Sequence, residues 1–472
     1  MGSREGKRVS ILADRYASRE MRELWSREYK VVLERDLWIS VLKSQKLLGL
    51  DVTKECIQKY ESVKKIIDLA SIDNRETKTQ HDVKARIEEF NSLAGFQKIH
   101  IGMTSRDVTE NVEMLQIKIA LDLVQKKAKT LLTTLANFAE TYAENPLVAR
   151  THNVPAQLTT LGRRFSTWIE EFMFSLQHLE ELRQRLPLKG IKGAIGTSQD
   201  LSDLFGIDSA IIERNLMAEN DFKNSLIAPA QIYPRSIDYE IITTLVQLAS
   251  APSNIATNIR LMSGMGILSE GMKEGQTGSS AMPHKVNARL SERVNGLSSV
   301  LKGHAVMLQE LVGNQWNEGD VSCSVVRRVA LPDAFYSIDS ILDTVIRILK
   351  KLEVFPEVLD REVRDNLPFL ISSQIMNALV KKGVGREDAH SKVKKISLLA
   401  AENFRKTGKN NLIDLISNDH EIPLKHEDLA PLLDPSGLTA MAIKQTKAII
   451  ARALAEGIPS SEADSYAPSE AL

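Results

Sequence analysis

Residues 108–142 read VTENVEMLQIKIALDLVQKKAKTLLTTLANFAETY. Apolar side chains recur at Val112, Leu115, Ile119 and Leu123, and again at Leu131, Leu135 and Phe138. That spacing lays one apolar stripe along an α-helix. The stretch holds neither glycine nor proline, so nothing in it stops a helix of roughly twenty residues or more. A helix of that length has to be covered along its whole stripe, which predicts a bundle.

Working outward, the same period returns. Leu158, Leu161, Phe165, Ile169, Phe172, Leu176, Leu179 and Leu182 fall mostly three and four apart, up to Pro187. They predict a helix opened by residues 151–157, with His152 in its first turn near the positive end of the dipole. There the protonated imidazolium is disfavoured unless a carboxylate opposes the effect. Further helices are predicted over 18–48, ending at Gly49, then over 237–262, 288–312, and from the polar cluster 316–328 to about Leu352. After Pro356 the helical segments shorten, with loops at 383–385 and 408–411, as expected of a separate small unit. Residues 457–472, rich in Ser, Ala, Pro and Glu, predict a flexible tail.

A chain of 472 residues exceeds the size at which single cores stop growing, so two or three structural units are expected. Lysine plus arginine equals aspartate plus glutamate at 61 each, which leaves no global field for nucleic acid or an anionic membrane. Cys56 and Cys323 are far apart, as free thiols of a reducing cytosol would be. The first ten residues lack an apolar core, and no window approaches the length of a membrane span. His420 and His426 are too isolated to argue a metal. Gly264 and Gly266 follow a helix and lack the third glycine of a dinucleotide fingerprint.

The residues able to do chemistry gather at breaks between helices. Arg15 and Tyr16 stand just ahead of a helix N-terminus, where anions are favoured, although a surface arginine and a packed tyrosine is the plainer reading. Gln80, His81 and Asp82 fall within what reads as a helix running to Phe90, where a lone histidine is usually structural. Thr104 and Ser105 follow Gly102 as a helix cap, an anion nest or both. Gln231, Tyr233 and Arg235 occupy another break. Residues 278–287, GSSAMPHKVN, come after Gly264, Gly266, Gly271 and Gly275. They read as a mobile lid delivering two hydroxyls, a lysine and an amide to one place, or as an ordinary interhelical connection.

The stretch GSSAMPHKVN resembles the signature of the fumarase and aspartase superfamily of lyases. LADRYAS (12–18), QHDVKARIEEF (80–90), GMTSRDVTENVE (102–113), RTHNVPAQLTTLGRR (150–164), GIKGAIGTSQD (190–200) and QIYPRS (231–236) fall in the order and approximate spacing of its adenylosuccinate-cleaving branch. The match runs over nearly the whole chain and is thinnest in the last hundred residues. The resemblance implies an all-α subunit of three domains, at 1–110, 111–355 and 356–472. The central one would contribute to a twenty-helix bundle in a homotetramer whose active sites draw on three subunits. It also implies a cytoplasmic enzyme acting on small-molecule nucleotide substrates. Fumarate would be eliminated from adenylosuccinate and from the succinyl-carboxamide ribotide SAICAR, with no cofactor, no metal, and no nucleic-acid or membrane partner.

Such a β-elimination needs a base for a weakly acidic carbon proton, stabilisation of the resulting carbanion, and an acid for the departing nitrogen. By the resemblance Ser279 is the base and His152 the acid. Lys285 and Asn287 bind a succinyl carboxylate, and Glu292 orients the histidine. Arg15, Tyr16, His81, Asp82, Thr104, Ser105, Gln231, Arg293, Ser324 and Arg328 match substrate-binding positions. Gln80 and Gly319 stand where many relatives carry arginine, with Arg106 or Arg327 as candidates to replace the charge. Another superfamily lyase, such as one cleaving argininosuccinate, and a catalytically silent helical scaffold are the alternatives. The RYAS and QHDVKARIEEF segments speak against the first, and the presence of Ser279, His152, Lys285 and Glu292 speaks against the second.

Overall fold

The computed structural model describes residues 10–206, 210–271, 282 and 285–469. Ser279 lies outside the described residues, as do residues 278, 280, 281, 283 and 284 of the expected lid. Three serine-capped helices open the chain: α1 (Ile11–Arg15), α2 (Arg19–Leu24) and α3 (Arg27–Leu47). The hydroxyls of Ser10, Ser18 and Ser26 accept the N–H groups of Leu12, Met21 and Tyr29, so the expected helix over 18–48 starts twice. Then come α4 (Lys54–Val63), α5 (Leu69–Thr79) and α6 (Asp82–Ala94). Gln80, at φ 51°, ends α5 in the left-handed conformation, and His81 caps α6 by accepting the Lys84 N–H at 3.2 Å on Nδ1. The single helix expected through residues 80–90 is therefore two, with His81 at their corner.

The 37 residues of α7 (Ser105–Thr141) form the first long rod of the bundle. It is joined by α8 (Leu161–Arg185), α11 (Ser236–Leu248), α12 (Ser250–Gly264), α13 (Arg289–Gln309) and α14 (Ser322–Lys351), with the short α9 (Gln199–Phe205) and α10 (Ala210–Glu219) between α8 and α11. Val112, Leu131, Leu135, Phe165, Ile169, Leu245, Leu301 and Ile341 are all fully buried where these helices meet. Gly162 lets α8 approach α7 closely, since a Cβ there would stand 2.4 Å from the Ala139 carbonyl oxygen.

Residues 151–157 do not open a helix. β1 (Pro146–Thr151) and β2 (Val154–Thr160) form an antiparallel hairpin, and α8 starts only at Leu161. His152 and Asn153, at φ 51° and 63°, make its two-residue turn, whose left-handed backbone matches the twist of the strands. The expectation that a helix dipole acts on His152 is thereby corrected: the histidine is exposed at a hairpin tip.

Beyond the bundle, β3 (Leu268–Ser269) pairs with β4 (Glu353–Val354). α15 (Pro356–Leu370), α16 (Ser372–Lys381), α17 (Arg386–Thr407), α18 (Leu412–Ser417) and α19 (His426–Leu429) follow, and a second core gathers around Ile371, Ile375, Leu379, Leu412 and Leu424. α20 (Pro435–Glu456) then returns to pack on α7 and α8, and α21 (Ser460–Ser465) packs on α7. The tail expected to be flexible is tied down as far as Ser469. Thr133 donates to the Ile458 carbonyl and accepts its N–H, Ala463 is buried, and the Tyr466 hydroxyl donates to Asp343 at 2.6 Å.

Candidate active site

Three helix ends meet at one cleft. The α5–α6 corner presents His81 and Asp82, the start of α7 presents Ser105 and Arg106, and the start of α14 presents Ser324 and Arg328. The cleft encloses about 330 Å³, and an adjoining hollow of about 450 Å³ shares Lys30, Asp82, Glu113 and Arg328 with it. Thr104 precedes α7 as its cap, its N–H donating to the Asp107 carboxylate at 2.9 Å. The first turns of two long helices thus wall the cleft, and the positive ends of their dipoles favour a negatively charged ligand.

The wall carries its own charges. Asp82 lies 3.3 Å from both Arg86 and Arg328 and accepts the Val83 N–H at 2.8 Å. Burial acts to raise its pKa, but Arg86, the Val83 N–H and Arg328 outweigh burial and hold the carboxyl below its usual range. Beneath it, Asp107, Glu110 and Glu113 follow one another at steps of three along α7. Asp107 accepts from Lys189 at 2.5 Å and from the Lys192 N–H at 2.9 Å. Glu110 takes Arg235 on both oxygens, at 2.8 and 2.7 Å. Glu113 takes Arg327 at 2.6 Å and Lys30 at 3.2 Å, and burial is again outweighed, first by Arg327, so that its carboxyl sits far below the ordinary value. Arg327 also donates to Asp238 at 2.7 Å and to the buried Tyr233 hydroxyl, whose pKa burial pushes well up. This buried lattice fixes the floor from which Ser324 and Arg328 face the cleft.

The remaining candidates lie elsewhere on the chain. Arg293 stacks over the Tyr16 ring at 5.5 Å, with Arg15 exposed beside it, and burial lowers the pKa of Arg293. Gln231 ties two loops, its N–H donating to the Glu318 carbonyl and its side chain to that of Ala194, both at 3.0 Å. Lys285 is exposed and donates its N–H to the Met282 carbonyl at 3.0 Å. Asn287 lies one residue before Ala288, the cap of α13, and Glu292 is exposed in the first turn of that helix. None of these, nor His152, lines the cleft. A more voluminous groove of about 830 Å³ between α8 and α20 holds none of the candidates.

Of the two positions lacking arginine, the backbone explains only one: Gly319, at φ 135°, would place a Cβ 3.1 Å from the Ile232 side chain, whereas the left-handed turn at Gln80 would hold arginine no worse than glutamine. Of the two replacement cations, Arg327 is committed to the floor. Arg106 lines the cleft and donates to the Asp320 carbonyl at 2.9 Å, one residue from Gly319. The buried lattice itself was missed by the reading of the sequence. Its one signal was three acids at steps of three on the face of α7 that also carries the core. Among the described residues no group of three or more His, Cys, Asp or Glu is placed to hold a metal ion, and no helix is long and apolar enough to cross a membrane.

A family model described as lyase matches residues 18–303, and one described as adenylosuccinate lyase C-terminus matches residues 368–449. The adenylosuccinate lyase of Schistosoma mansoni is 34% identical over 448 residues, covering 93% of this chain and 93% of that protein. The chain belongs to the adenylosuccinate lyase family. The Saccharomyces cerevisiae adenylosuccinate lyase is 32% identical over 448 residues, again 93% of each. The 3-carboxy-cis,cis-muconate lactonizing enzyme from Pseudomonas putida superposes with a TM-score of 0.82 at 19% identity, over 95% of this chain and 100% of that one. Identity that low speaks for the fold alone, and the all-α expectation holds. As a member of the adenylosuccinate lyase family, the chain is a lyase.

Proposed function

We propose that the chain eliminates fumarate from adenylosuccinate, leaving AMP, and from SAICAR, leaving its carboxamide product AICAR, in purine nucleotide biosynthesis. The observation that carries this reading is the cleft at the starts of α7 and α14. Ser105, Ser324, Arg106 and Arg328 offer hydroxyls and guanidinium groups there to an anionic nucleotide. In the reaction Ser279 takes a proton from the carbon next to the one bearing nitrogen. The electron pair left behind becomes the double bond of fumarate as the carbon–nitrogen bond breaks, and His152 protonates the departing nitrogen. A serine hydroxyl is a weak base on its own, so Lys285 and Asn287, gripping the succinyl carboxylate, must stabilise the charge that develops. Glu292 orients His152, and Arg106 supplies the cation that Gly319 does not. The chemistry asks for no cofactor.

A homotetramer in the cytoplasm completes the reading. His152, Lys285 and Glu292 are exposed and lie away from the cleft, as groups contributed to neighbouring subunits would. Val306 on α13 and Val325 on α14 expose 58% and 66% of their surface on helices whose other faces are core. Such apolar faces fit a subunit interface. The test is to incubate the purified chain with adenylosuccinate, SAICAR and, as a competitor class, argininosuccinate, following fumarate by absorbance and AMP by chromatography. Failure to release AMP from adenylosuccinate, or faster turnover of argininosuccinate, rules the reading out.

A further inference from the structure

Glu270 has no part in the site described above, yet it is 6% exposed and carries a carboxylate. Burying a carboxylate is costly unless hydrogen bonds replace its water. Here Oε2 accepts the Leu290 N–H at 3.0 Å and Oε1 the Ser291 N–H at 2.7 Å, both in the first turn of α13. Helix N-termini are normally satisfied by the residue at the cap, but the cap of α13 is Ala288, whose methyl group accepts nothing. The acceptor instead comes from 20 residues upstream. A cap of this kind does more than finish a helix, because it ties the helix to whatever holds the acceptor.

What holds Glu270 is tied to the end of α14 and the segment after it. It directly follows β3, which is paired with β4, and the Phe355 N–H donates to the Ile267 carbonyl at 2.9 Å. Gly271 passes so near the end of α14 that a Cβ would stand 2.9 Å from the Lys351 carbonyl oxygen. The turn that Glu270 grips carries Glu292 and leads into Arg293, which lies over Tyr16. Asn287 and Lys285 immediately precede that turn, and residues 270 and 290 flank in sequence the segment holding Ser279.

We propose that Glu270 is a positioning residue for the elimination: by gripping the Leu290 and Ser291 N–H groups it sets where Lys285, Asn287 and Glu292 stand relative to the substrate. The proposal rests on the reading of function above. It predicts a division of labour, since the cleft residues on α6, α7 and α14 do not touch Glu270, whereas the groups that act on the succinyl half follow from it.

The experiment is Glu270→Gln in the full chain, assayed with adenylosuccinate and with AMP as a product inhibitor. The amide has one acceptor oxygen, and its NH2 opposes the second backbone N–H. Turnover should fall about ten- to a hundredfold through misplacement of the reacting groups. KM and the AMP inhibition constant should stay within about threefold, with circular dichroism and oligomer mass unchanged. Glu270→Asp, which keeps both acceptor oxygens, should recover part of the loss, and it carries the same test if the glutamine variant does not fold. Turnover at the wild-type level in Glu270→Gln overturns the proposal. So does a fall in AMP affinity that keeps step with turnover, because that marks a merely structural role. A wild-type chain that releases no fumarate from adenylosuccinate sinks the functional reading and this proposal with it; an active wild type with an indifferent Glu270→Gln sinks this proposal alone.

Discussion

Ser279→Ala deletes one oxygen and leaves the helices untouched, so circular dichroism should not change. If that oxygen takes the proton, turnover of adenylosuccinate and of SAICAR should fall together by on the order of 10³-fold or more. Near-native rates would remove Ser279 from the role. Arg106 tests the cleft in the opposite sense. It is shared between Glu110 and the Asp320 carbonyl, and Glu110 keeps two bonds from Arg235 without it. Arg106→Gln should therefore fold, and should raise KM about tenfold with kcat little changed if the guanidinium binds substrate charge. An unchanged KM would leave the deficit at Gly319 unfilled. Much was legible at this scale. His81 with Asp82, Ser105, and Ser324 with Arg328 stood in three separate stretches, and the structure gathers them into one cleft. The partners of Glu110 and Glu113 were not legible, because Arg235 and Arg327 are more than a hundred residues away and only the fold introduces them.

Helix period exposed the long elements, since α7, α8, α13 and α14 each carry an unbroken apolar stripe. The hairpin β1–β2 escaped because Leu158 and Leu161 continue the stripe of α8 backwards by period alone. The backbone hydrogen bonds of β2 go to β1 instead, with Val148 facing Leu158. Positive φ at His152 and Asn153 leaves no trace in a hydrophobicity pattern. Similarly, the corner at Gln80 hid inside an apparently continuous helix. Gly162 yields the prediction at this level. Gly162→Ala must push a methyl group against the Ala139 carbonyl oxygen and the Ala143 backbone, at 2.4 and 2.7 Å. α8 would shift off α7 at a cost of about 1–3 kcal/mol, read as a lowered midpoint in urea unfolding. A variant as stable as wild type would show that the crossing has slack.

For the molecule as a whole, stability should depend on His100. Burial lowers its pKa to about 4, and the Trp38 indole N–H donating to Nδ1 at 3.1 Å demands the unprotonated ring. The folded value lies below the ordinary value of 6.5, so between 6.5 and about 4 the unfolded chain binds a proton that the folded chain refuses. Stability is then fully present above pH 6.5 and is lost as pH falls, by about 2 kcal/mol between pH 7 and pH 5. His100→Asn keeps an acceptor for Trp38 and suits the left-handed backbone at φ 68°, and it should flatten that slope in urea titrations at the two pH values. Equal slopes would exonerate His100. Assembly gives the other prediction. If each site draws on several subunits, mixing inactive Ser279→Ala and His152→Ala chains under mild denaturation should restore part of the activity, since some sites then receive both intact groups; no recovery would argue for sites built within one chain.

The composition of the last residues spoke for disorder, and a single aromatic anchor, Tyr466, reverses that reading by reaching Asp343. This return has a consequence for biosynthesis. Thr133 and Ile458, which bond to each other twice, are 325 positions apart, so α7 leaves the ribosome long before the strand of chain that covers it exists. During translation that flank of α7 must stay bare or be sheltered by a chaperone. Ribosome-stalled chains ending before Pro435 should therefore be cut by protease within α7, where the full-length chain resists.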